Sequence, residues 1–461
     1  MKINTGLYLQ FYAVLTLIFC GLTQYFTGIS SVLWLPFLLA FSMVGLLLLQ
    51  VRYSPLDLDH KEMITLVLFL GFFGLAIVST FLQNGVTTTI IGLKNELALS
   101  LILFCLLLRF CRESQIYRVT KALYWIFYAQ FPVILFQVLV VVPKRVTAFG
   151  EFEKWDSVVG TFGGDPMGGG NTAAMGLFCL LIMLLKLSEY KHGLTTLKST
   201  ILHIGAAFIL CILGEVKFVI LLSPILLAYV WLTPSYIKGM KSYDLKIILA
   251  IVGGMLLLMS IAIMLLSLSY SSAFGGAADP TKGPLDIFIG SLEYIFDPNF
   301  IMPSGRLGRM TTIFFWLEHN DLYGIPSVLF GYGLNTTNAG SAMSPGFLNN
   351  VFNVILGTTS LSVLLWELGI IGTVFFISLT LYILRICKPK PLFNKEDITQ
   401  EDMRLISYPP AFNAFAIGCL LSLPYSEILM LIPMLQFLFY LSLGSNLVIR
   451  KSLITAAANH D

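Results

Sequence analysis

Charge is scarce in this sequence. Asp, Glu, Lys and Arg make up 11% of its 461 residues, against roughly 25% in a soluble domain. Too few polar side chains remain to cover a water-exposed globule, so that class is excluded. Histidine is sparse too, at five, and the seven cysteines (Cys20, Cys105, Cys111, Cys179, Cys211, Cys387 and Cys419) are scattered, mostly within apolar blocks. No CxxC pair and no His/Cys cluster occurs, so neither a zinc site nor a disulfide framework is indicated. No small-residue cleavage site ends the first apolar block, which reads as a retained helix and not as a signal peptide. No internal repeat is evident, which weighs against a transporter built from inverted halves.

Long uncharged runs take the place of charge. Leu7–Phe26, Val32–Val51, Met63–Leu82 and Ile247–Leu268 each approach the roughly 20 residues that cross a bilayer as a helix. They do not alternate as barrel strands would, and only a helix satisfies its backbone polar groups within one segment. Twelve spans fit, at 7–26, 32–51, 63–82, 93–110, 119–142, 171–187, 199–214, 216–233, 246–270, 358–385, 408–423 and 426–445. Two of these pairs are also open to reading as single spans. Ile201–Leu232 becomes a hairpin by turning at Leu213-Gly214-Glu215-Val216-Lys217, and Pro409–Leu443 by turning near Pro424. Both hairpins are preferred, because with a cytoplasmic N-terminus they put most of the 28 Lys and Arg residues inside, as positive-inside asymmetry requires.

The expectation is therefore an all-α polytopic membrane protein with about twelve transmembrane helices and both termini cytoplasmic. Residues 1–270 hold the first nine helices, 271–357 form one large outer loop subdomain, and 358–461 hold the last three helices and the C-terminus. Connections this long are usually functional or disordered. This one mixes Ile287, Phe288, Tyr294, Phe296, Phe314, Phe315 and Trp316 with Gly/Pro turns, so it reads as ordered.

Several polar residues stand out against this background. Glu215 and Lys217 sit between two apolar runs. They are either a functional intramembrane pair or an outer turn whose charges reach water. A lysine there suits an anionic headgroup such as pyrophosphate. In the large loop, acids outnumber Lys282, Arg306 and Arg309, so its cations form a focal pair and not a basic surface. If a helix begins at Arg309, Arg306 and Arg309 lie three apart at its start, where guanidinium forks and the helix dipole both favour phosphate; a solvated helix cap is the plainer reading. His319 offers a base near neutral pH. Gly331-Tyr332-Gly333 would let backbone approach a sugar or phosphate. In the first outer loop, Lys144 and Arg145 lie just outside the membrane, ahead of a glycine-rich entry to the next span that is either a flexible gate or a linker. Glu367 falls within the tenth span, functional or reaching water from its outer half.

In combination these features resemble the bacterial O-antigen ligase and polysaccharide polymerase superfamily. Gly160-Thr161-Phe162-Gly163-Gly164-Asp165-Pro166 resembles its "G-T/R-F-x-(N/D)-P" entry to a span, with one extra residue before the Asp-Pro. Arg306 and Arg309, followed by Trp316, Pro326 and Gly331-Tyr332-Gly333, resemble its "R…W…P…G-x-G" loop signature. Trp366-Glu367-Leu368-Gly369-Ile370-Ile371-Gly372 resembles its "E-x-G-x-x-G" helix. The resemblance implies a GT-C-like membrane glycosyltransferase of the bacterial plasma membrane, inverting and metal-independent, with no cofactor. Its donor would be an undecaprenyl-pyrophosphate-linked glycan among membrane lipids. A chain-length regulator would be a further partner, and nucleic acid would not be one. Arg306 and Arg309 would hold the leaving group, with His319 as base. Lys217, Glu215, Lys144, Arg145, Trp316, Gly331 and Gly333 would line the substrate. Ligases carry a His-Asn before the tenth span. Here that stretch reads Leu348-Asn349-Asn350-Val351, which favours a polymerase of oligosaccharide repeat units over a ligase to lipid A core. A lipid-linked-oligosaccharide flippase is the third reading, and the lack of ionisable residues in most spans weighs against it.

Overall fold

A computed structural model describes residues 4–51, 58–149, 154–166, 169–240, 245–273, 295–302, 304–340, 344–394 and 398–458, with positions 286, 289, 292 and 396. Lys282, Ile287, Phe288 and Tyr294, named above, lie outside the described residues. The described residues are mostly helical. Helix α1 (Thr5–Thr27) passes through a π turn at Leu15–Cys20, and α2 is Trp34–Val51. Helix α3 (His60–Gly92) runs into a π turn at Leu93–Leu97, followed by α4 (Leu101–Leu107). Helix α5 (Glu113–Phe136) continues through another π turn into α6 (Val142–Phe149). A two-residue antiparallel pairing, β1 (Gly164–Asp165) with β2 (Gly169–Gly170), precedes α7 (Thr172–Lys191). Then come α8 (Leu197–Leu213), α9 (Lys217–Leu232) and α10 (Leu245–Ala273). Short helices α11 (Arg309–His319), α12 (Ile325–Phe330) and α13 (Phe347–Phe352) belong to the large loop. The chain ends in α14 (Ser360–Ile386), α15 (Gln400–Leu421), α16 (Ile428–Leu431) and α17 (Pro433–Ala458).

Among the described residues, eight helical stretches are long and apolar enough to cross a membrane. This is a multi-pass, all-helical membrane protein. The count is lower than twelve for physical reasons. The expected spans 63–82 and 93–110 fall in one 48-residue stretch, His60–Leu107, interrupted at Gly85 by a φ of +74°. The expected spans 199–214 and 216–233 are α8 and α9, of 17 and 16 residues. Sixteen residues rise about 24 Å, short of a hydrocarbon core of about 30 Å. The expected 408–423 lies in α15, which opens on Glu401, Asp402 and Arg404 and contains Pro409 and Pro410. The chain does turn between α8 and α9, and again between α15 and α17.

Burial separates centre from periphery. In the most apolar windows of α17 and α7, 83% and 78% of residues are buried, against 11% in α10. Helices α7 and α17 form the centre with α15, and α10 leans on α9 from outside. Exposed apolar side chains such as Leu82, Leu139, Ile225 and Leu257 cover the outer faces. In water such a surface would drive aggregation; on crossing helices it meets lipid. The centre is tied by polar side chains, with Asn446 Nδ2 donating to Asn413 Oδ1 at 2.8 Å and Asn413 Nδ2 to the Cys387 carbonyl at 3.3 Å. Interhelical bonds of this kind contribute about 0.6–2 kcal/mol each in a membrane.

One end of the bundle is closed by charge. Asp59 and Glu62 form a reciprocal capping box at the start of α3, which satisfies two otherwise orphaned N–H groups. Arg450 reaches Asp59 at 2.8 Å, and Arg109 pairs with Glu62. Lys191 Nζ donates to the carbonyls of Val230, Trp231 and Thr233, finishing the C-terminus of α9. At the other end α3 breaks at Gly85 and α14 at Gly369, with φ of +74° and +64°, and there the large loop docks.

Candidate functional site

The glycine-rich segment before α7 is held in place by its own neighbours. Two buried glutamines of the α5 rod read its backbone. Gln130 accepts from Thr161 N and donates to Thr161 Oγ1, both at 2.8 Å. Gln137 accepts from Val159 N at 3.1 Å and Gly160 N at 2.8 Å, and donates to the Gly160 carbonyl at 2.8 Å. Asn171 Nδ2 closes the far side on the Phe162 carbonyl at 2.7 Å. Close approach demands the glycines: a Cβ on Gly160 would lie 2.1 Å from Gln130 Oε1. Arg145 is buried against this segment, with Nη1 donating to the Pro166 carbonyl at 2.9 Å, while the neighbouring Lys144 is exposed.

This pinned segment backs the turn between α8 and α9. A Cβ on Gly214 would come within 3.2 Å of the Val158 carbonyl. The next residue, Glu215, takes a left-handed φ of +53°, which costs a non-glycine residue about 1 kcal/mol. Lys217 opens α9 and lies in the field of Glu215, Arg309 and Asp156. Asp156 comes from the first loop and Arg309 from the large one, so charges from three distant segments act on Lys217.

The large loop is positioned by strand-like bonds and a small aromatic core. Met302 N donates to the Arg306 carbonyl at 2.8 Å, Leu307 N to Ile355 O at 3.2 Å, and Ile355 N to Gly305 O at 2.9 Å. Thr312 Oγ1 ties α11 to the Leu356 carbonyl at 2.8 Å. Leu307, Trp316, Tyr332, Leu348, Leu356 and Trp366 bury one another beneath it. Trp316 is therefore a packing residue of the platform that carries the arginines.

Arg306 and Arg309 both reach the turn between α15 and α16. The Arg309 guanidinium lies 3.7 Å over the Tyr425 ring, and Tyr425 stacks on Phe218 at 4.8 Å and 24°. Arg306 Nη1 meets Glu427 Oε1 at 3.0 Å. Burial raises the pKa of the Glu427 carboxyl, and Arg306 only partly offsets it. Three cations (Arg306, Arg309, Lys217) thus gather with three carboxyls (Glu215, Asp156, Glu427), and Arg309 opens a helix whose N-terminus favours anions.

His319 is elsewhere. It ends α11, ten residues from Arg309 and so about 15 Å along the helix. Its ring stacks on Phe315 at 4.3 Å and meets Phe352 edge-on at 5.7 Å, and Nδ1 lies 3.1 Å from the Phe315 carbonyl.

Gly331 and Gly333 form a joint with the broken helix α14. The break at Gly369 deprives the carbonyls of Trp366 and Glu367 of helical donors. Tyr332 N supplies the first at 2.9 Å and Gly333 N the second at 2.8 Å. A Cβ on Gly331 would lie 2.4 Å from the Glu367 backbone, and one on Gly369 would lie 2.5 Å from Gly331 N. Below the joint, the Glu367 carboxyl accepts from Asn335 N at 2.9 Å and from Thr337 N and Oγ1 at 2.9 and 2.6 Å. Glu96 meets the same Asn335 N–H at 3.1 Å. The two glycine motifs are halves of one interlock, and Glu367 is its anchor.

Sequence reasoning brought forward Lys217, Glu215, Arg306 and Arg309, which the fold gathers together. It missed Phe218, Tyr425, Glu427, Asp156 and Glu96. The one signal available for Glu427 was an acid in the last apolar hairpin. Among the described residues, no group of three or more His, Cys, Asp or Glu side chains is arranged to hold a metal. No protein-family model and no curated protein matches this chain.

Proposed function

We propose that this protein is an inverting glycosyltransferase that joins undecaprenyl-pyrophosphate-linked oligosaccharide repeat units into a surface polysaccharide. The observation that carries the reading is the meeting of Arg306, Arg309 and Lys217 at the turn before α16. Guanidinium forks match phosphate oxygens, and the ammonium adds a point charge. Such a cluster stabilises the charge that builds on pyrophosphate as it leaves the anomeric carbon. The resemblance of the loop motifs to the O-antigen ligase and polymerase superfamily supplies the substrate class.

In this reading the chain crosses the bacterial plasma membrane twelve times. The stretch His60–Leu107 crosses twice by way of Gly85, and α8, α9 and α15 each cross once. Both termini are cytoplasmic, and the cationic cluster faces outward, where lipid-linked repeat units are presented. Arg306→Ala and Lys217→Ala should each abolish long-chain glycan in cells lacking the native copy and leave single repeat units on the lipid carrier. Unchanged chain length on a gel would sink the assignment. Polymer accumulating on the lipid carrier would instead identify a ligase.

A further inference from the structure

We infer that Glu427 is the general base of this site, taking the proton from the acceptor sugar's hydroxyl as the new glycosidic bond forms. The inference rests on the glycosyltransferase reading and deepens it. Geometry selects Glu427 from the carboxyls present. Its Oε1 is fixed at 3.0 Å by Arg306; among the described residues no donor is recorded on Oε2, and its side chain is 21% exposed. One carboxylate oxygen is thus held while the side chain stays part-exposed. Asp156 is exposed and Glu215 lies beside Lys217, where each tempers the lysine's charge. His319 sits against Phe315 at the far end of α11.

An inverting displacement puts base and leaving group on opposite faces of the anomeric carbon, and so needs separate groups for the two tasks. Lys217 feels Arg309, Glu215 and Asp156, while Glu427 is met by Arg306. Arg306 is thus the cation that orients the base, and Arg309 and Lys217 are those assigned to the leaving pyrophosphate. The acceptor oxygen bonds to the anomeric carbon as its proton passes to Glu427. The bond from that carbon to the pyrophosphate oxygen breaks, and its electron pair departs on lipid pyrophosphate beside the cations. Glu427 later returns the proton to water.

The charged groups that set its titration can be named. Arg306 touches it, Arg309 lies over Tyr425 two residues before it, and Lys217, Glu215 and Asp156 lie beyond. Helix α16 also packs on α14 and on the π turn at Leu93–Leu97, which bring Glu367, Lys94 and Glu96. Burial raises the Glu427 pKa despite Arg306. Its basic form is accordingly present at high pH and is lost as pH falls through that raised value.

The test uses the full-length protein in lipid nanodiscs, with lipid-linked repeat units extracted from a strain lacking it. Initial rates of chain formation are followed against pH, and inorganic pyrophosphate binding is followed by calorimetry. Glu427→Gln should lose on the order of 10²–10⁴-fold in rate while still binding pyrophosphate, and Glu427→Asp should recover part of the rate. The fall of the wild-type rate at low pH should vanish from the residual rate of Glu427→Gln. A Glu427→Gln rate within about threefold of wild type overturns the base and leaves the glycosyltransferase reading standing. Joint loss of rate and pyrophosphate binding with an unchanged acid limb also overturns it, and makes Glu427 a support for Arg306. If the wild type forms no chains, both readings fall. Should Glu427→Gln fail to fold by size exclusion, Glu427→Asp decides: a displaced acid limb supports the base and an unmoved one overturns it.

Discussion

Arg309 lies over Tyr425, which in turn stacks on Phe218. The stack holds the guanidinium carbon 3.7 Å over the ring. Lysine would keep the charge but neither the plane nor the fork. Arg309→Lys is expected to lower chain formation by about tenfold or more, as the loss of a desolvated cation–π contact implies, and Arg309→Ala by more. Equal rates for Lys and Arg would mean that charge alone suffices. Glu367 makes a different residue-scale case, because its carboxyl takes three donors from Asn335 and Thr337. Glu367→Ala should lower stability by about 3 kcal/mol or more, since each stranded buried donor costs about 1–3 kcal/mol. Thermal unfolding in detergent measures this, and an unchanged midpoint would show the interlock to be dispensable. Arg306, Arg309 and Lys217 were legible because isolated charge is conspicuous in so apolar a chain. Glu427 and Glu96 were not, since their partners lie 121 and 239 residues away and no local pattern joins them.

At the scale of elements, the interlock between Gly331-Tyr332-Gly333 and the Gly369 break is the joint that sets the loop on the bundle. Both Gly331 and Gly369 have positive φ; a Cβ on Gly331 would run into the Glu367–Leu368 backbone, and one on Gly369 into the backbone of Leu329 and Gly331. Gly331→Ala and Gly369→Ala should therefore each cost about 2–4 kcal/mol, from backbone strain and overpacking together. The double variant should not recover, because both changes add volume to the same gap. Gly340→Ala is the control, since its Cβ would meet only Asn338 Oδ1 at 3.6 Å. Folded yield by size exclusion should fall for the first two and hold for the control. Local signals revealed the hairpins well: charges between two apolar runs marked the turn at 214–216, and Pro424 marked the last one. The breaks at Gly85 and Gly369 were hidden, because an isolated glycine in an apolar helix looks the same whether or not φ turns positive. The glycine motif was likewise visible as spacing, while its target, a pair of orphaned carbonyls, exists only once α14 has broken.

For the whole molecule, composition and structure together constrain how the chain threads the bilayer. Length and hydropathy alone nominate eight crossing stretches. The proposed twelve-span threading adds the hairpins that charge asymmetry favours, and puts the loop that carries Arg306 and the turn that carries Lys217 on one side with the turn before α16. The contacts of Arg306 with Glu427 and of Arg309 with Tyr425 make that shared side a necessity of the fold. A single cysteine at any one of these elements therefore reports on all of them. All seven native cysteines are buried, so a membrane-impermeant maleimide should give little background on intact cells. Asp297→Cys, exposed on the large loop, should label from outside without permeabilisation. Lys388→Cys, just after α14, and Ala458→Cys, at the end of α17, are also exposed and should label only once the membrane is opened. Labelling of Ala458→Cys in intact cells would invert the molecule, place the cationic cluster on the cytoplasmic face, and remove it from any reaction on lipid-linked glycans presented outside.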